Sequence, residues 1–322
     1  MARGRDALSA PDPTDRAPVG RTGVAVSRLG IGGGSSFIRA GDDRRLVVDA
    51  AYAAGLRHFD TAPLYGLGTS ESTYGEALAA YPRETLTIST KVGREGQAAF
   101  DYSGANVTRS IARSRERLRV AAIDIALIHD VDPDFHDDFE ARFREAVDEA
   151  WPALDRLRSE GSLRAIGVGL KNVDAALRLL QARPFDCVML AGAYTLLEHR
   201  ALDDLLPWCV EHSVAVLLAA PLNTGILATG AIPGARYFYR DAPPKVMERT
   251  ARMEAVCARH EVPLPAAALQ FPLRHPAVAS VVVGHERPEE VTRNVALMRH
   301  PIPDAMWDEL KSEGLIPAHA PV

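Results

Sequence analysis

Eight short apolar runs, spaced by longer segments of helical periodicity, recur from Leu29 almost to the C-terminus, and this alternation constrains the fold more than any other feature of the chain. Runs of four to eight apolar residues bounded by turn formers read as buried strands, and their regular exchange with helical segments is the pattern of βα units around a parallel sheet. The strands are expected at 29–33, 57–61, 86–92, 123–129, 165–169, 188–192, 214–219 and 280–284. Helices are expected at 43–54, 70–80, 104–118, 139–159, 173–181, 202–212 and 288–298, several opened by Asp, Ser or Asn at a capping position. A doubly wound open sheet shares this local pattern, but two points favour a closed (β/α)8 TIM barrel. Eight strands are the number that closes, and no Gly-x-Gly-x-x-Gly turn follows a strand and opens a helix; Gly32-Gly33-Gly34 lacks that spacing.

The 322 residues exceed the roughly 250 of one such barrel by a modest margin, so one large domain with insertions fits better than two small ones. Residues 1–18, rich in Arg, Asp and Pro, read as a mobile leader, and 19–322 as a single barrel domain. Polar-apolar alternation over 19–27 around Thr22-Gly23 predicts an N-terminal β-hairpin capping the barrel floor. Two connections, 130–138 and 223–244, exceed the two to six residues usual for βα loops. Long βα loops on a rigid scaffold are where substrate pockets are built, and the second loop carries Tyr237, Phe238 and Tyr239.

Charge and apolarity narrow the partners. With 37 Lys plus Arg against 42 Asp plus Glu, the formal charge is −5, and no basic stripe with interleaved aromatics argues for nucleic acid. The leader has no apolar core of signal-peptide length, and no apolar run approaches the roughly 20 residues of a membrane span, so a cytoplasmic protein is expected. Cys187, Cys209 and Cys257 are scattered in apolar segments, which suits buried thiols in a reducing compartment rather than a disulfide framework or a metal site.

The ionisable residues that terminate strands are Asp60, Lys91 and His129, on the second, third and fourth strands. All three therefore belong at the C-terminal end of the barrel, where this architecture builds its active sites, and Tyr65 follows five residues past Asp60 in a loop over the same opening. Taken singly, an Asp-Lys pair is often a structural ion pair, a strand-end His a capped residue and a loop Tyr a packed aromatic. Their joint placement argues for proton transfer. A free phenol titrates near pH 10, and a neighbouring ammonium favours the phenolate and lowers that value. The carboxylate beyond it keeps the ammonium charged. Tyr65 is thus expected as general acid/base, Lys91 and Asp60 as its tuning pair, and His129 as the group that orients the substrate oxygen.

At these residues the chain resembles the aldo-keto reductases. The segments His58-Phe59-Asp60-Thr61-Ala62-Pro63-Leu64-Tyr65-Gly66, Thr90-Lys91-Val92 and Ile123-Asp124 through Ile128-His129-Asp130 look like that family's Asp, Tyr, Lys and His motifs in order, and the likeness runs from about Val19 to Leu315. The resemblance implies an NAD(P)-dependent oxidoreductase that moves a hydride between nicotinamide and a small carbonyl or hydroxyl substrate, with no metal. The Ala219-Ala220-Pro221-Leu222 turn, the His129-Asp130 pair and the ending Trp307-Asp308-Glu309-Leu310 to Gly314-Leu315-Ile316 look like the branch acting on aldoses and pyridoxal, which implies oxidation of an aldose at C1 to a lactone.

For the cofactor, the resemblance implies contacts from Leu222 and from Gly284, Glu286, Arg287, Glu290 and Asn294 around the start of the last barrel helix, where a helix N-terminus also receives phosphate. The aromatic residue common before the Ser-Pro-Leu turn is replaced by Ala219 and Ala220. The Ser-Asn after the fifth strand is replaced by Gly169-Leu170, which leaves Lys171 or Asn172 as substitutes. Glu286 stands where a basic residue is common in members preferring a 2′-phosphate, which tilts the expectation towards NAD over NADP, with Arg287 next door keeping both open. Three other readings stand beside this one: an NADPH-dependent reductase of aldehydes or ketones, a Schiff-base aldolase using Lys91, and a non-catalytic nicotinamide-binding regulatory barrel.

Overall fold

A computed structural model describes residues 12–34 and 42–322. Twelve strands occur among them: β1 (Arg16–Pro18), β2 (Ala25–Ser27), β3 (Leu29–Gly32), β4 (His58–Asp60), β5 (Thr87–Val92), β6 (Ile123–His129), β7 (Leu163–Leu170), β8 (Cys187–Ala191), β9 (Ala215–Ala219), β10 (Arg236–Tyr237), β11 (Arg240–Asp241) and β12 (Val278–Gly284). Eight of these close a parallel barrel in the order β3-β4-β5-β6-β7-β8-β9-β12, with β12 returning to β3 so that Val281 faces Leu29 and Gly284 faces Gly32. Each expected strand is present within two or three residues, and closure excludes the open sheet.

Period-two alternation sorts the strand residues into two cores. Ile88, Val92, Ala126, Ile128, Ile166 and Val168 face outward into the layer that the helices cover. Ile125, Leu127, Ala165, Cys187, Met189, Ala215 and Leu217 face the barrel axis and pack on Ala17, Val19, Val24 and Val26 of the hairpin, which closes the floor. The hairpin begins earlier than the expected 19–27, because Arg16–Pro18 is its first strand, paired so that Arg16 faces Ser27 and Pro18 faces Ala25. The Arg16 guanidinium also reaches Thr87 Oγ1 at 3.1 Å, which fixes that strand against β5. Arg16–Pro18 lies inside the stretch that composition marks as a leader; residues 1–11 lie outside the described residues.

The expected helix over 139–159 is broken into Phe139–Glu145, a π turn at Ala146–Ala150 and Trp151–Ser159. Pro152 has no N–H to donate to the carbonyl four residues back, and the turn before it widens so that Trp151 N–H donates to Ala146 O, five residues back. Helices Pro244–Arg259, Leu264–Gln270 and Asp304–Ser312 complete the outer layer. Both long connections leave the C-terminal end of the strands. The first contains a 3-10 turn, Pro133–Phe135, and the second a short helix, Ile226–Thr229, and the two-stranded ribbon β10–β11. The three cysteines are free and buried. Among the described residues no helix is long and apolar enough to cross a membrane.

Candidate active site

The same alternation that points Ile125 and Leu127 inward also points His129 inward at the end of β6, and it places His58 and Asp60 on β4 and Ser89 and Lys91 on β5 along the axis. These polar side chains connect. His58 Nε2 lies 3.0 Å from Ser89 Oγ, Ser89 donates to Asp60 Oδ1 at 2.7 Å, and Lys91 Nζ donates to Asp60 Oδ2 and to Thr61 O, each at 2.8 Å. His58 fits only because its neighbour is Gly30, where a Cβ would stand 2.7 Å from Nδ1. Lys91 and Asp60 are buried side chains, so their pairing is not screened by water.

The Tyr65 loop brings the phenol over this pair. The Lys91 ammonium stands 4.9 Å from the Tyr65 ring centroid, and the His129 ring meets Tyr65 edge-on at 6.0 Å. The three residues expected from the strand ends and the loop residue Tyr65 are therefore in one group. The electrostatics differ from expectation in one respect. Burial raises the Tyr65 hydroxyl above the usual tyrosine value; the Lys91 charge pulls it down, but Asp60 and Asp130 push with burial, and the upward direction prevails. Burial likewise opposes the Lys91 ammonium, yet Asp60 and Tyr65 outweigh it and hold its pKa above the ordinary lysine value. An ammonium so held is a poor amine nucleophile, which argues against the Schiff-base reading.

Burial pushes His129 down to about 3, with Asp130 opposing and Lys91, Arg94 and Lys171 assisting, so at neutral pH it is an uncharged imidazole. Its Nε2 is 3.4 Å from Asp130 Oδ2, which favours the tautomer with the proton on Nε2. Asp130 pairs in turn with the buried Arg94. Tyr102 fixes the backbone here, its hydroxyl 2.8 Å from His129 O and 3.0 Å from Asp130 O. Gly93, at φ +91°, lets the chain pass under the Tyr102 ring, with which any side chain there would collide.

The loops shape the mouth. Asp132 accepts from Lys171 N at 3.1 Å and Asn172 N at 2.9 Å, which ties the loop after β6 to the one after β7. A cavity of about 490 Å³ lies beside them, lined by Lys171, Asn172, Tyr237 and Phe238 among others. Neither this cavity nor a second, of about 270 Å³ at the hairpin end and lined by Pro18, Arg28 and Val214, is lined by any of the four residues.

The residues expected around the cofactor form a separate set. Gly284 is exposed at the end of β12, Glu286 N–H donates to Glu290 Oε2 at 2.7 Å, and the largely exposed Arg287 stands 3.9 Å from Glu290. The helix Pro288–Met298 that follows has no side-chain cap. Asn294 is turned inward, with Nδ2 3.0 Å from His285 Nε2. Leu222 packs half-buried on the outer core, and the Asn172 side-chain Oδ1 caps the helix Val173–Ala182 by accepting from Ala175 N at 3.0 Å. Two groups escaped sequence reasoning. Arg44 donates to Glu286 O at 2.9 Å from 242 residues away, for which no local signal exists. Asn223 is buried, its Oδ1 taken by Thr195 at 2.6 Å, while its Nδ2 has no hydrogen-bond partner among the described residues; its position just past the Ala220-Pro221 turn was the available signal.

Comparison with known proteins gives a consistent picture. The profile of the Aldo/keto reductase family matches residues 28–313. A D-threo-aldose 1-dehydrogenase of Pseudomonas sp is 38% identical over 323 residues, covering 92% of this chain and 96% of that protein. A pyridoxal 4-dehydrogenase of Microbacterium luteolum is 34% identical, covering 94% of this chain and 98% of its own. Among solved structures, the holo form of an aldo-keto reductase from Bacillus halodurans superposes with a TM-score of 0.75 at 25% identity, covering 95% of this chain and 97% of that one.

Proposed function

The chain belongs to the Aldo/keto reductase family and is an NAD(P)-dependent oxidoreductase, and from that premise we propose that it oxidises an aldose at C1 to the lactone, with NAD preferred. The observation that carries the chemistry is the contact of the Tyr65 phenol with both the Lys91 ammonium and the His129 ring at the C-terminal mouth of the barrel. The 38% identity to a D-threo-aldose 1-dehydrogenase supports the substrate class.

In this proposal Tyr65, as phenolate, takes the proton of the C1 hydroxyl while the C1 hydrogen leaves as hydride, and C1 becomes the lactone carbonyl; in reverse, Tyr65 donates that proton. When bound, the oxidised nicotinamide supplies the hydride acceptor and a positive ring charge. Lys91 stabilises the phenolate, Asp60 keeps Lys91 charged, and the His129 Nε2–H holds the substrate oxygen. The residues present suit such a cofactor. The Glu289 N–H at the uncapped start of Pro288–Met298 and the Arg287 side chain offer donors for phosphate, and the buried, unspent Asn223 Nδ2 offers one at the mouth. Gly284, Glu286, Glu290 and Leu222 would flank it, with Asn172 at the cavity and Asn294 acting through His285.

Glu286 supports NAD, because a carboxylate repels a 2′-phosphate and accepts from a ribose hydroxyl; Arg287 and Arg44 nearby leave NADP able to bind. The test is absorbance at the reduced-nicotinamide band, with NAD and NADP in parallel and a panel of L-fucose, D-arabinose, L-galactose, pyridoxal and simple aldehydes. Reduction of NAD by an aldose is expected. Silence with every sugar, together with NADPH oxidation by aldehydes, would overturn both the substrate and the cofactor assignments.

A further inference from the structure

Beside the four-residue group stands a second pair whose hydrogen-bonding capacity is only partly used. Arg94 and Asp130 are 7% and 8% exposed and paired. Asp130 Oδ2 accepts from Arg94 and has His129 Nε2 3.4 Å away, outside hydrogen-bond geometry, and its Oδ1 has no hydrogen-bond partner among the described residues. Arg94 spends Nη1 on Asp130 and Nη2 on Gln97 O at 3.3 Å, and its Nε is buried without a partner. The guanidinium is held between two rings, 4.9 Å from the Phe100 centroid and 4.4 Å from that of Phe135. Asp130 itself adopts φ 54°, a left-handed conformation that L residues enter only under constraint.

A largely buried ion pair whose donor Nε is left unmatched is poor structural material, since an unmatched polar group out of water costs stability. At the mouth of a barrel the uncommitted Asp130 Oδ1 is a recognition element awaiting a donor, and a hydroxyl group is one. Its location selects which hydroxyl. Asp130 Oδ2 lies 3.4 Å from the His129 nitrogen expected to hold the reacting oxygen, and a second oxygen on the adjacent carbon falls about one hydrogen-bond length from the first.

We propose that Asp130, held by Arg94, reads the hydroxyl on the carbon next to the reacting one, so that the enzyme selects 2-hydroxy carbonyl compounds and aldoses over their deoxy counterparts. Asp130 is then a specificity-determining residue, and Arg94 a positioning residue that fixes its carboxylate. The inference rests on the aldose reading above and deepens it.

The experiment compares kcat/KM for D-arabinose and 2-deoxy-D-ribose with NAD, and for lactaldehyde and propanal with NADH, in the parent protein and in Asp130→Asn. Loss of the 2-hydroxyl is expected to lower kcat/KM of the parent roughly ten- to hundredfold, the worth of one hydrogen bond to a charged group, and Asp130→Asn should shrink that ratio to about threefold or less. A role exercised only through His129 would lower both members of each pair by one factor and leave the ratio unchanged, which would overturn the proposal. Equal use of hydroxy and deoxy substrates by the parent would overturn it without any variant. If neither sugar is oxidised but lactaldehyde is preferred over propanal in an Asp130-dependent way, the aldose reading falls and this inference stands.

Discussion

Replacing Lys91 with Met should damage stability and catalysis by separable routes. The ammonium is 2.8 Å from Asp60 Oδ2 and 2.8 Å from Thr61 O, and the Lys91 and Asp60 side chains are 3% and 5% exposed. Removing it leaves the Asp60 carboxylate buried with only the Ser89 hydroxyl, 2.7 Å from Oδ1. Breaking a buried pair from one side costs about 3–5 kcal/mol, which for a domain of this size lowers the melting temperature on the order of 10 °C. The double variant Lys91→Met/Asp60→Asn carries no stranded charge and should recover most of the lost stability. It should not recover turnover, because Tyr65 still lacks the cation that opposes its burial, and both variants should lose about 10²–10⁴ in kcat. Thermal and urea unfolding, run beside nicotinamide absorbance assays, measure the two effects. A Lys91→Met protein that melts with its parent, or a double variant that regains turnover, would refute the reasoning.

Three further outcomes follow from the same geometry. Tyr65→Phe should lower turnover by about 10²–10⁴-fold while cofactor binding, read by fluorescence titration, is retained; lost binding would count against the assignment. With the Tyr65 pKa raised, the neutral phenol is the resting form through neutral pH, so carbonyl reduction should hold its rate to pH 9 or so while oxidation climbs with pH; a reduction rate that collapses above neutrality would contradict this. His58 and His129 are pushed down to about 3, and His199, His275 and His285 to about 4, by burial in each case. Depressed folded-state values mean that their contribution is complete above the unfolded histidine pKa near 6.5 and is lost as pH falls towards those values, so the melting temperature should drop steeply between pH 6.5 and 4. A flat profile over that window, measured by circular dichroism, would show that these rings are not held neutral.

The parts of the molecule that could be read from the sequence are those governed by short periods. The eight strands stand out because Val, Ile and Leu recur in runs of strand length, and Asp60, Lys91 and His129 were found together because a two-residue period sends the last inward residue of adjacent strands to one rim. Features governed by long-range contact were hidden. Arg94 meets Asp130 across 36 residues and Arg44 meets Glu286 across 242, and nothing local marks either pairing. The direction of the Tyr65 shift was missed for a related reason: a neighbouring lysine can be read from strand order, whereas the depth of burial that outweighs it depends on every loop over the mouth. The helix Pro244–Arg259 begins where the expected 223–244 loop ends and is not among the expected helices, since its Arg- and Glu-rich outer face dilutes the apolar stripe, and the hairpin began at Arg16 because Pro18, which has no N–H to pair, is tolerated in an edge strand.

The central claim is that hydride leaves C1 of the sugar while Tyr65 handles the proton. An aldose deuterated at C1, incubated with the enzyme and NAD, tests it most directly. Mass spectrometry should find one deuterium in the reduced cofactor and the lactone free of it, with the transfer slowed about 10²–10⁴-fold in Tyr65→Phe. Deuterium retained in the sugar, or a borohydride-trapped adduct on Lys91, would contradict the account.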